Sequence, residues 1–126
     1  MDIEMLLSLA RDAAQKAYAP YSHLTVGAAL LGANGTVYCG CNVENASYGL
    51  TNCAERTALF KAVSDGCTNF QALAIAAPRL ISPCGACRQV MSEFCAPELP
   101  VYLTDLEGTA TKTLTFGALF PLPFLG

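Results

Sequence analysis

The first twenty residues carry apolar side chains at helical spacing. Asp2 stands where a helix cap is expected and Pro20 ends the pattern, so the sequence predicts an amphipathic helix. Valine, alanine and leucine then dominate residues 25–31, and Asn34-Gly35 separates them from a second run over residues 36–42. This pattern predicts two antiparallel strands joined by a two-residue hairpin turn. The apolar positions of the helix are Ile3, Leu6, Leu7, Ala10, Ala14 and Ala17.

Helix and strand signals alternate through the middle of the chain. Residues 53–64 predict a helix ended by Gly66. The continuous apolar run over residues 70–77 predicts a strand buried on both faces. Ser82-Pro83 predicts the start of a third helix, with serine as the cap and proline at the first helical position, and Pro97 limits its end.

Two further strands complete the predicted fold. They cover residues 101–104 and 109–114, with Gly108 in the turn between them and a short apolar tail over residues 116–125. The predicted order is therefore αββαβαββ followed by a tail. Because strands are interleaved with helices, the sequence predicts an α/β sandwich around one mixed sheet.

Length and composition exclude several classes of protein. We expect one domain spanning residues 1–126, and 53% hydrophobic against 13% charged residues excludes a disordered chain. A net charge of −3 without a basic cluster argues against a nucleic-acid partner. The longest apolar runs, residues 26–31 and 73–77, are far shorter than the roughly 20 residues of a membrane-spanning helix. Acidic residues near the amino terminus are untypical of a secretory signal, so we expect a cytoplasmic protein with no membrane partner.

The cysteines give the first indication of chemistry. Seven of them, an odd number, favour metal or thiol chemistry over a disulfide framework in a cytoplasmic chain. Cys84 and Cys87 form a C-x-x-C pair in the predicted first turn of a helix, where residues three apart share a face. The positive end of a helix dipole stabilises thiolate, the form that binds zinc. On its own, this pair fits a metal site, a redox pair or two packed cysteines.

Cys53 and Glu55 lie at the start of the preceding helix. Glu55 shares helical spacing with Ala58 and Ala62, which turns its carboxylate toward the apolar interior. Taken alone, Glu55 is best explained by a capping box, because Asn52 and Glu55 occupy its two positions. A strict helical wheel places Cys53 away from Glu55, so the two converge only if Cys53 projects from the first turn.

The three cysteines together are more specific than any pair. Cys53, Cys84 and Cys87 would leave a tetrahedral zinc ion one ligand short, and catalytic zinc sites keep that fourth position for water. The remaining cysteines lack a second C-x-x-C, although Cys39-x-Cys41 could donate a ligand. His23 is the only histidine, precedes the first predicted strand and is assigned no role.

Several short motifs follow one another in a specific order along nearly the whole chain. They are Tyr18-Ala19-Pro20-Tyr21-Ser22, Val26-Gly27-Ala28-Ala29-Leu30, Gly40-Cys41-Asn42-Val43-Glu44-Asn45, Cys53-Ala54-Glu55-Arg56-Thr57-Ala58 and Pro83-Cys84-Gly85-Ala86-Cys87-Arg88-Gln89. In this order they resemble the zinc-dependent cytidine deaminases, specifically the small homotetrameric type with three cysteine ligands. The resemblance implies a three-layer sandwich with a mixed five-stranded sheet flanked by helices. It also implies zinc-dependent hydrolysis of cytidine and deoxycytidine to uridine and deoxyuridine, with release of ammonia.

The resemblance assigns roles around the metal. Cys53, Cys84 and Cys87 would hold one zinc ion per subunit, which lowers the pKa of a bound water from 15.7 to about 7. Glu55 would move protons between that water, the pyrimidine ring and the departing amine. Arg56 would lie beside the ligand sulfurs and offset part of their negative charge.

The resemblance also implies substrate contacts. Asn42 and Glu44 lie two residues apart in an extended stretch, so their side chains leave on one side, where they would bind the ribose. The backbone at Ala54 would contact the base. Leu24 stands where the family commonly has phenylalanine, which changes one wall of the nucleoside pocket.

A homotetramer implies sites that are completed by neighbouring subunits. Phe124, in the apolar tail, would stack on the pyrimidine bound by a neighbour. Tyr48 is a further candidate for a contact across the subunit boundary. Assembly would also explain the low charged content, because subunit contacts remove apolar surface from water.

Other functions stay open at the level of sequence. A related zinc deaminase could act on blasticidin S, although enzymes of that kind lack the pair formed by Asn42 and Glu44. Polynucleotide and transfer-RNA editing relatives typically carry a histidine where Cys53 stands, and they have a basic surface. A zinc scaffold would hold zinc without turnover, whereas a dithiol redox protein would oxidise Cys84 with Cys87 and bind no zinc.

Overall fold

The helices and strands follow the predicted order in the computed structural model, which describes residues 1–126. They are α1 (Ile3–Ala14), β1 (Gly27–Gly32), β2 (Val37–Cys41), α2 (Ala54–Ser64), β3 (Phe70–Ala77), α3 (Gly85–Ser92), β4 (Pro100–Asp105), β5 (Thr111–Thr115) and α4 (Phe116–Leu119). A single 3₁₀ turn covers Tyr48–Leu50. None of the helices combines the length and the apolar character that crossing a membrane requires.

The five strands form one mixed sheet in the order β2-β1-β3-β4-β5, in which only β3 and β4 run parallel. Successive side chains of a strand point to opposite faces of the sheet. Ala29 and Ala74 therefore pack against α1, whereas Leu30 and Ile75 pack in the core that contains α2 and α3 residues. This arrangement confirms the predicted three-layer α/β sandwich.

The two ends of α1 are set by local hydrogen bonds. The side chain of Asp2 caps the helix by accepting a hydrogen bond from the backbone of Glu4, as the sequence predicts. The helix ends at Ala14, three residues before the last apolar position of the predicted pattern. Beyond Ala14 the backbone turns more tightly, with hydrogen bonds between residues three apart, such as that from the N–H of Ala17 to the Ala14 carbonyl (3.2 Å).

The hairpin between β1 and β2 has a three-residue loop instead of the predicted two-residue turn. The N–H of Gly32 donates to the Thr36 carbonyl, and the N–H of Gly35 donates to the Gly32 carbonyl, both at 2.9 Å. Gly35 has a φ of +84°, in the left-handed region that glycine adopts at little cost. This loop is the common alternative in which a left-handed residue follows a type I turn.

The start of α3 differs from the predicted one for a tertiary reason, and the tail contains a short helix that was not predicted. Cys84 is the N-cap of α3, so the predicted cap at Ser82 is wrong. Ser82 and Pro83 lie in irregular chain instead, where both accept hydrogen bonds from the side chain of Arg88. The apolar tail contains the short helix α4, which begins where the hydroxyl of Thr115 accepts a hydrogen bond from Ala118.

A glycine on β2 brings α2 unusually close to the sheet. A Cβ atom on Gly40 would lie 2.5 Å from the backbone nitrogen of Ala58 and 2.8 Å from the carbonyl oxygen of Ala54. The backbone of the first turns of α2 therefore rests directly on β2. This contact fixes the height of Cys53 and Glu55 above the sheet.

Candidate metal centre and active site

Two helix N-termini converge and bring the three cysteines together. Cys53 is the N-cap of α2 and Cys84 is the N-cap of α3, both with extended backbone, while Cys87 lies in the first turn of α3. The three sulfurs lie within 4.8 Å of one another, and the Cys53 and Cys84 sulfurs are 3.7 Å apart. Because Cys53 is outside the regular helix, its side chain leaves the helical wheel and can share a site with Glu55.

The donor set fits zinc. Tetrahedral zinc with Zn–S bonds of about 2.3 Å places neighbouring sulfurs about 3.8 Å apart. The distance of 3.7 Å between Cys53 and Cys84 matches this value. Three thiolates are soft ligands of the kind that zinc accepts. Cys87 is buried, Cys53 is half-buried and Cys84 is exposed, so the cluster faces solvent on one side only.

Arg56 stabilises negative charge on the cluster. Its Nη2 atom donates to the sulfur of Cys53 at 3.3 Å. A hydrogen bond from Cys87, followed in strength by the one from Arg56, lowers the pKa of Cys53 to about 5. The interaction with Cys53, together with burial, raises the pKa of Cys87. Arg56 is therefore a partner of the sulfurs, with the pKa of its guanidinium raised by Cys53.

Glu55 is a buried carboxyl beside the cysteine cluster. Its side chain is 5% exposed, and burial, the largest effect, raises its pKa to about 7. The capping box favoured for Glu55 alone is wrong, because the N-cap of α2 is Cys53 and no side chain caps it. Asn52 instead donates to the hydroxyl of Thr57 at 3.1 Å. Glu55 thus has no capping role to explain its burial, which favours a chemical one.

The raised pKa of Glu55 predicts a pH-dependent stability of the zinc-free protein. The usual pKa of 4.5 applies in the unfolded chain, so the unfolded state loses this proton first as the pH rises. The free energy of unfolding therefore falls between about pH 4.5 and pH 7, by roughly 3 kcal/mol. We expect zinc-free Glu55→Gln to be more stable than the zinc-free wild type at pH 8 and similar to it at pH 4.5 in urea unfolding. A stability difference independent of pH would contradict this assignment.

A cleft of about 180 Å³ opens beside Glu55 and two of the cysteines. It is lined by Ser22, Leu24, Val26, Asn42, Glu44, Thr51, Cys53, Ala54, Glu55, Ile81, Ser82 and Cys84. The structure therefore brings Leu24, Asn42, Glu44 and Ala54 to the cysteine cluster. A larger cleft of about 440 Å³ lies between α1, α2 and β2; it is lined by Cys39 and Cys41, which are not part of the cysteine cluster, and by none of the residues assigned to the site.

Another cleft, of about 350 Å³, adjoins the 180 Å³ cleft beside Glu55. Both are lined by Ser22, Glu44 and Thr51, and the second also contacts Tyr21 and Tyr48. Glu44 stands at the boundary between the two. The joint site thus runs from the cysteine cluster, past Glu44, to an open end beside Tyr48.

Asn42 and Glu44 anchor the loop of residues 21–26, which lines this site. The side chain of Asn42 accepts from the Val26 N–H at 2.9 Å and donates to the Leu24 carbonyl at 2.7 Å. Glu44 accepts from the backbone N–H groups of Tyr21 and Ser22 at 2.9 and 3.1 Å, and from the Ser22 hydroxyl. The Ser22 hydroxyl is the main cause that lowers the pKa of Glu44, so this carboxylate is ionised at neutral pH.

Ser22 and Ile81 are among the residues that line this site without a role assigned from the sequence. Ser22 donates to Glu44 and accepts from the N–H of Leu24 at 3.0 Å, so it connects both anchors of the loop. Ile81 lines the cleft from the irregular segment before α3. The only local signal for Ser22 is its position in the motif Tyr18–Ser22, and nothing local points to Ile81.

Two predicted substrate residues lie away from the cysteine cluster of their own chain. Tyr48 is 76% exposed and packs edge-to-face on Tyr21, with ring centres 6.0 Å apart. Phe124 is 74% exposed, and its carbonyl accepts a hydrogen bond from Gln89 at 2.8 Å. Neither ring contributes to the cleft that contains Glu55.

Comparison with known proteins decides the family. The family model described as "Cytidine and deoxycytidylate deaminase zinc-binding region" matches residues 1–103. The chain belongs to this family. The match contains the complete cysteine cluster and Glu55, and the cluster fits the zinc site of this hydrolytic deaminase family.

Similarity to individual deaminases extends beyond the family model. A cytidine deaminase of Sporosarcina psychrophila is 55% identical over 126 residues, covering 98% of this chain and 92% of that protein. The crystal structure of cytidine deaminase from Burkholderia pseudomallei has a TM-score of 0.93 and 50% identity, covering 98% of this chain and all of that one. The crystal structure of cytidine deaminase from Mycobacterium tuberculosis has a TM-score of 0.85 at 40% identity, covering 98% of each chain. The deaminase fold therefore includes β5, α4 and the tail.

Proposed function

We propose that this protein catalyses the hydrolytic deamination of cytidine and deoxycytidine. Water adds at C4 of the pyrimidine and the amino group leaves as ammonia, which yields uridine or deoxyuridine. The observation that carries this proposal is the buried carboxyl of Glu55 beside the three-cysteine cluster, in a cleft that two of those cysteines line. Family membership supports the reaction class.

Cys53, Cys84 and Cys87 would hold one zinc ion. When bound, zinc supplies a water whose pKa is lowered to about 7, which makes a strong nucleophile available at neutral pH. Three thiolates carry more negative charge than the metal neutralises, and this surplus opposes that effect. Arg56 and the positive ends of α2 and α3 offset the surplus charge.

Glu55 would act as the proton carrier. As a carboxylate it accepts a proton from the attacking water and delivers it to N3 of the ring. It would then take the second proton of the added water from the C4 hydroxyl and pass it to the amino group, so that ammonia leaves as a neutral molecule while the C4 carbonyl forms. A pKa near 7 suits both directions of transfer, because the group is then readily protonated and deprotonated at the working pH.

The loop-anchoring residues would select a nucleoside. The carboxylate of Glu44 lies at the boundary of the two clefts and would accept hydrogen bonds from ribose hydroxyls, with Asn42 beside it. The backbone at Ala54 would contact the base, and Leu24 would form an aliphatic wall. Asn42 already uses one donor and one acceptor within the protein, so it contributes its remaining N–H and lone pair.

Glu44→Gln is expected to weaken nucleoside recognition. Loss of a charge-assisted hydrogen bond costs about 1.5–3 kcal/mol, which is roughly a 10- to 150-fold loss. We expect this loss in kcat/KM for cytidine, mainly through KM, in steady-state assays. Glu98→Gln, at an exposed position, is the matched control and is expected to behave as wild type. An unchanged KM for Glu44→Gln would remove Glu44 from the substrate site.

The assembly proposed here is a cytoplasmic homotetramer of one-domain subunits spanning residues 1–126. The support is an exposed apolar tail, in which Leu122, Phe124 and Leu125 are 91%, 74% and 80% exposed. Such a patch is costly in water unless another molecule covers it. Phe124 would stack on the base held by a neighbouring subunit, and Tyr48 would contact substrate or protein at the open end of that site.

Phe124→Ala tests the shared site. Stacking of a base on an aromatic ring contributes about 1–3 kcal/mol, so we expect KM for cytidine to rise roughly 5- to 150-fold. The Phe124 ring is exposed within its own chain, so subunit folding is expected to be unaffected. Leu122→Ala is the control in the same tail. A monomer in light scattering, or a KM equal to that of the control, would contradict the shared site.

Conversion of cytidine to uridine by the purified protein tests the proposed reaction. We expect cytidine and deoxycytidine to react with stoichiometric release of ammonia, and a strong zinc chelator to abolish turnover. Blasticidin S serves as the competing substrate in the same ultraviolet assay. Tightly held zinc without turnover would indicate a scaffold, and reversible oxidation of Cys84 with Cys87 without zinc would indicate a redox protein.

A further inference from the structure

Arg88 connects two segments of one subunit. One is the zinc loop, residues 78–84 between β3 and α3, and the other is the C-terminal tail. Its Nε atom donates to the Pro83 carbonyl at 2.7 Å, and its Nη2 atom donates to the Ser82 hydroxyl at 3.0 Å. Its Nη1 atom donates to the carbonyl of Leu119 at 2.5 Å. The three acceptors belong to two segments that are far apart in sequence, and none of them is a carboxylate.

At one end of this contact, Arg88 holds the part of the zinc loop that leads into Cys84. The segment between β3 and α3 contains no helix or strand, and Ser82 and Pro83 directly precede Cys84 in it. No side chain caps α3 at Cys84. The hydrogen bonds from Arg88 therefore hold the backbone that carries this ligand.

The other end of the contact holds the tail. Leu119 is the last residue of α4, where helix carbonyls lack partners within the helix. No backbone–backbone hydrogen bond involves residues 121–126, and Gln89 supplies the side-chain bond to the Phe124 carbonyl. Adjacent residues of α3 thus fasten the tail at Leu119 and at Phe124.

We propose that Arg88 is a positioning residue that couples the geometry of the zinc loop to the placement of the tail. Its planar fork satisfies three acceptors in fixed directions, whereas a lysine ammonium is a single point charge on a flexible stem and cannot reproduce this geometry. The relevance of the coupling to catalysis rests on the proposed function, in which the tail carries Phe124 to a neighbour's site.

Arg88→Lys separates this geometry from charge alone. Groups that orient metal ligands typically contribute 10- to 100-fold in metal affinity. We expect the zinc dissociation constant of Arg88→Lys, measured by competition with a colorimetric chelator, to rise by about 10- to 100-fold. We also expect carboxypeptidase to trim the tail of the zinc-loaded variant several-fold faster, as followed by mass spectrometry.

Two further variants define the expected pattern. Gln89→Ala removes only the bond to Phe124, so the tail is expected to be trimmed faster while zinc affinity is unchanged. Arg79 is an exposed arginine in the same loop and makes no side-chain hydrogen bond. Arg79→Ala is therefore expected to change neither the zinc affinity nor the rate of tail trimming. Ser82→Ala removes one acceptor of Arg88 and carries the zinc test if Arg88→Lys fails to fold, with weaker zinc binding expected.

The outcomes decide between coupling and simple packing. The coupling is overturned if Arg88→Lys changes zinc affinity alone, tail trimming alone or neither, or if Ser82→Ala, used in its place, binds zinc like the wild type. Both measurements use protein that need not turn over, so a deaminase assay that fails overturns the proposed reaction and leaves this test intact. Absence of zinc binding by the wild type would overturn both proposals.

Discussion

Glu55→Gln is expected to reduce turnover of cytidine by about 10²- to 10⁴-fold, the range that a positioned acid–base group contributes. Glutamine keeps the size of the side chain and part of its polarity, but it cannot accept and return a proton. Because the carboxyl is not a member of the cysteine cluster, the variant is expected to retain one zinc ion per chain. Single-turnover kinetics with metal analysis on the same sample measure both quantities.

The glutamine variant also separates catalysis from folding. Zinc-free Glu55→Gln is expected to be more stable than the wild type at pH 8, so lost activity cannot be attributed to unfolding. Glu93→Gln, on the exposed C-cap of α3, is the matched control and is expected to keep full activity. Substantial turnover by zinc-loaded Glu55→Gln would exclude Glu55 as the proton carrier.

Cys87→Ala is expected to cause the largest loss of zinc. Cys87 is fully buried and its sulfur lies within 4.8 Å of the other two, so its removal leaves a gap at the closed side of the cluster. We expect zinc affinity to fall by more than about 100-fold, beyond the effect of groups that only orient ligands. Each tenfold loss in affinity lowers the stabilisation that excess zinc provides by about 1.4 kcal/mol.

Cys95→Ala is the control for cysteine loss. Cys95 packs against the main core, and burial raises its pKa to about 12, which marks it as an unreactive thiol. Its variant is expected to lose some stability while keeping zinc and activity. Equal zinc content in Cys87→Ala and Cys95→Ala, measured by atomic emission after dialysis, would contradict the proposed ligand set.

The fold was predictable where local signals and burial agree. The apolar run at residues 70–77 is β3 at both ends, and Gly66 follows α2 as the sequence predicts. The start of α3 was not predictable. Ser82-Pro83 is a typical local signal for a helix start, but in the folded chain both residues accept hydrogen bonds from Arg88 and lie outside the helix. That competition depends on a contact within the folded chain and leaves no mark in the local sequence.

The site was predictable in composition but not in geometry. Spacing alone left Cys53 on the wrong side of the helix, and only its position as an extended N-cap explains how its sulfur lies 3.7 Å from that of Cys84. The resemblance supplied Asn42 and Glu44, but not the hydrogen bonds by which Asn42 anchors the loop at Leu24 and Glu44 anchors it at Ser22. The roles of Tyr48 and Phe124 stay predictions, since they depend on a second copy of the chain.

X-ray absorption at the zinc edge of the purified protein tests the central claim most directly, namely that three cysteine sulfurs hold the metal and leave one position for water. The account predicts three sulfur neighbours at about 2.3 Å and one oxygen neighbour at about 2.0 Å. It also predicts that Cys87→Ala loses this signal while Cys95→Ala keeps it. A shell of four sulfurs, as in a closed structural site, would contradict the account.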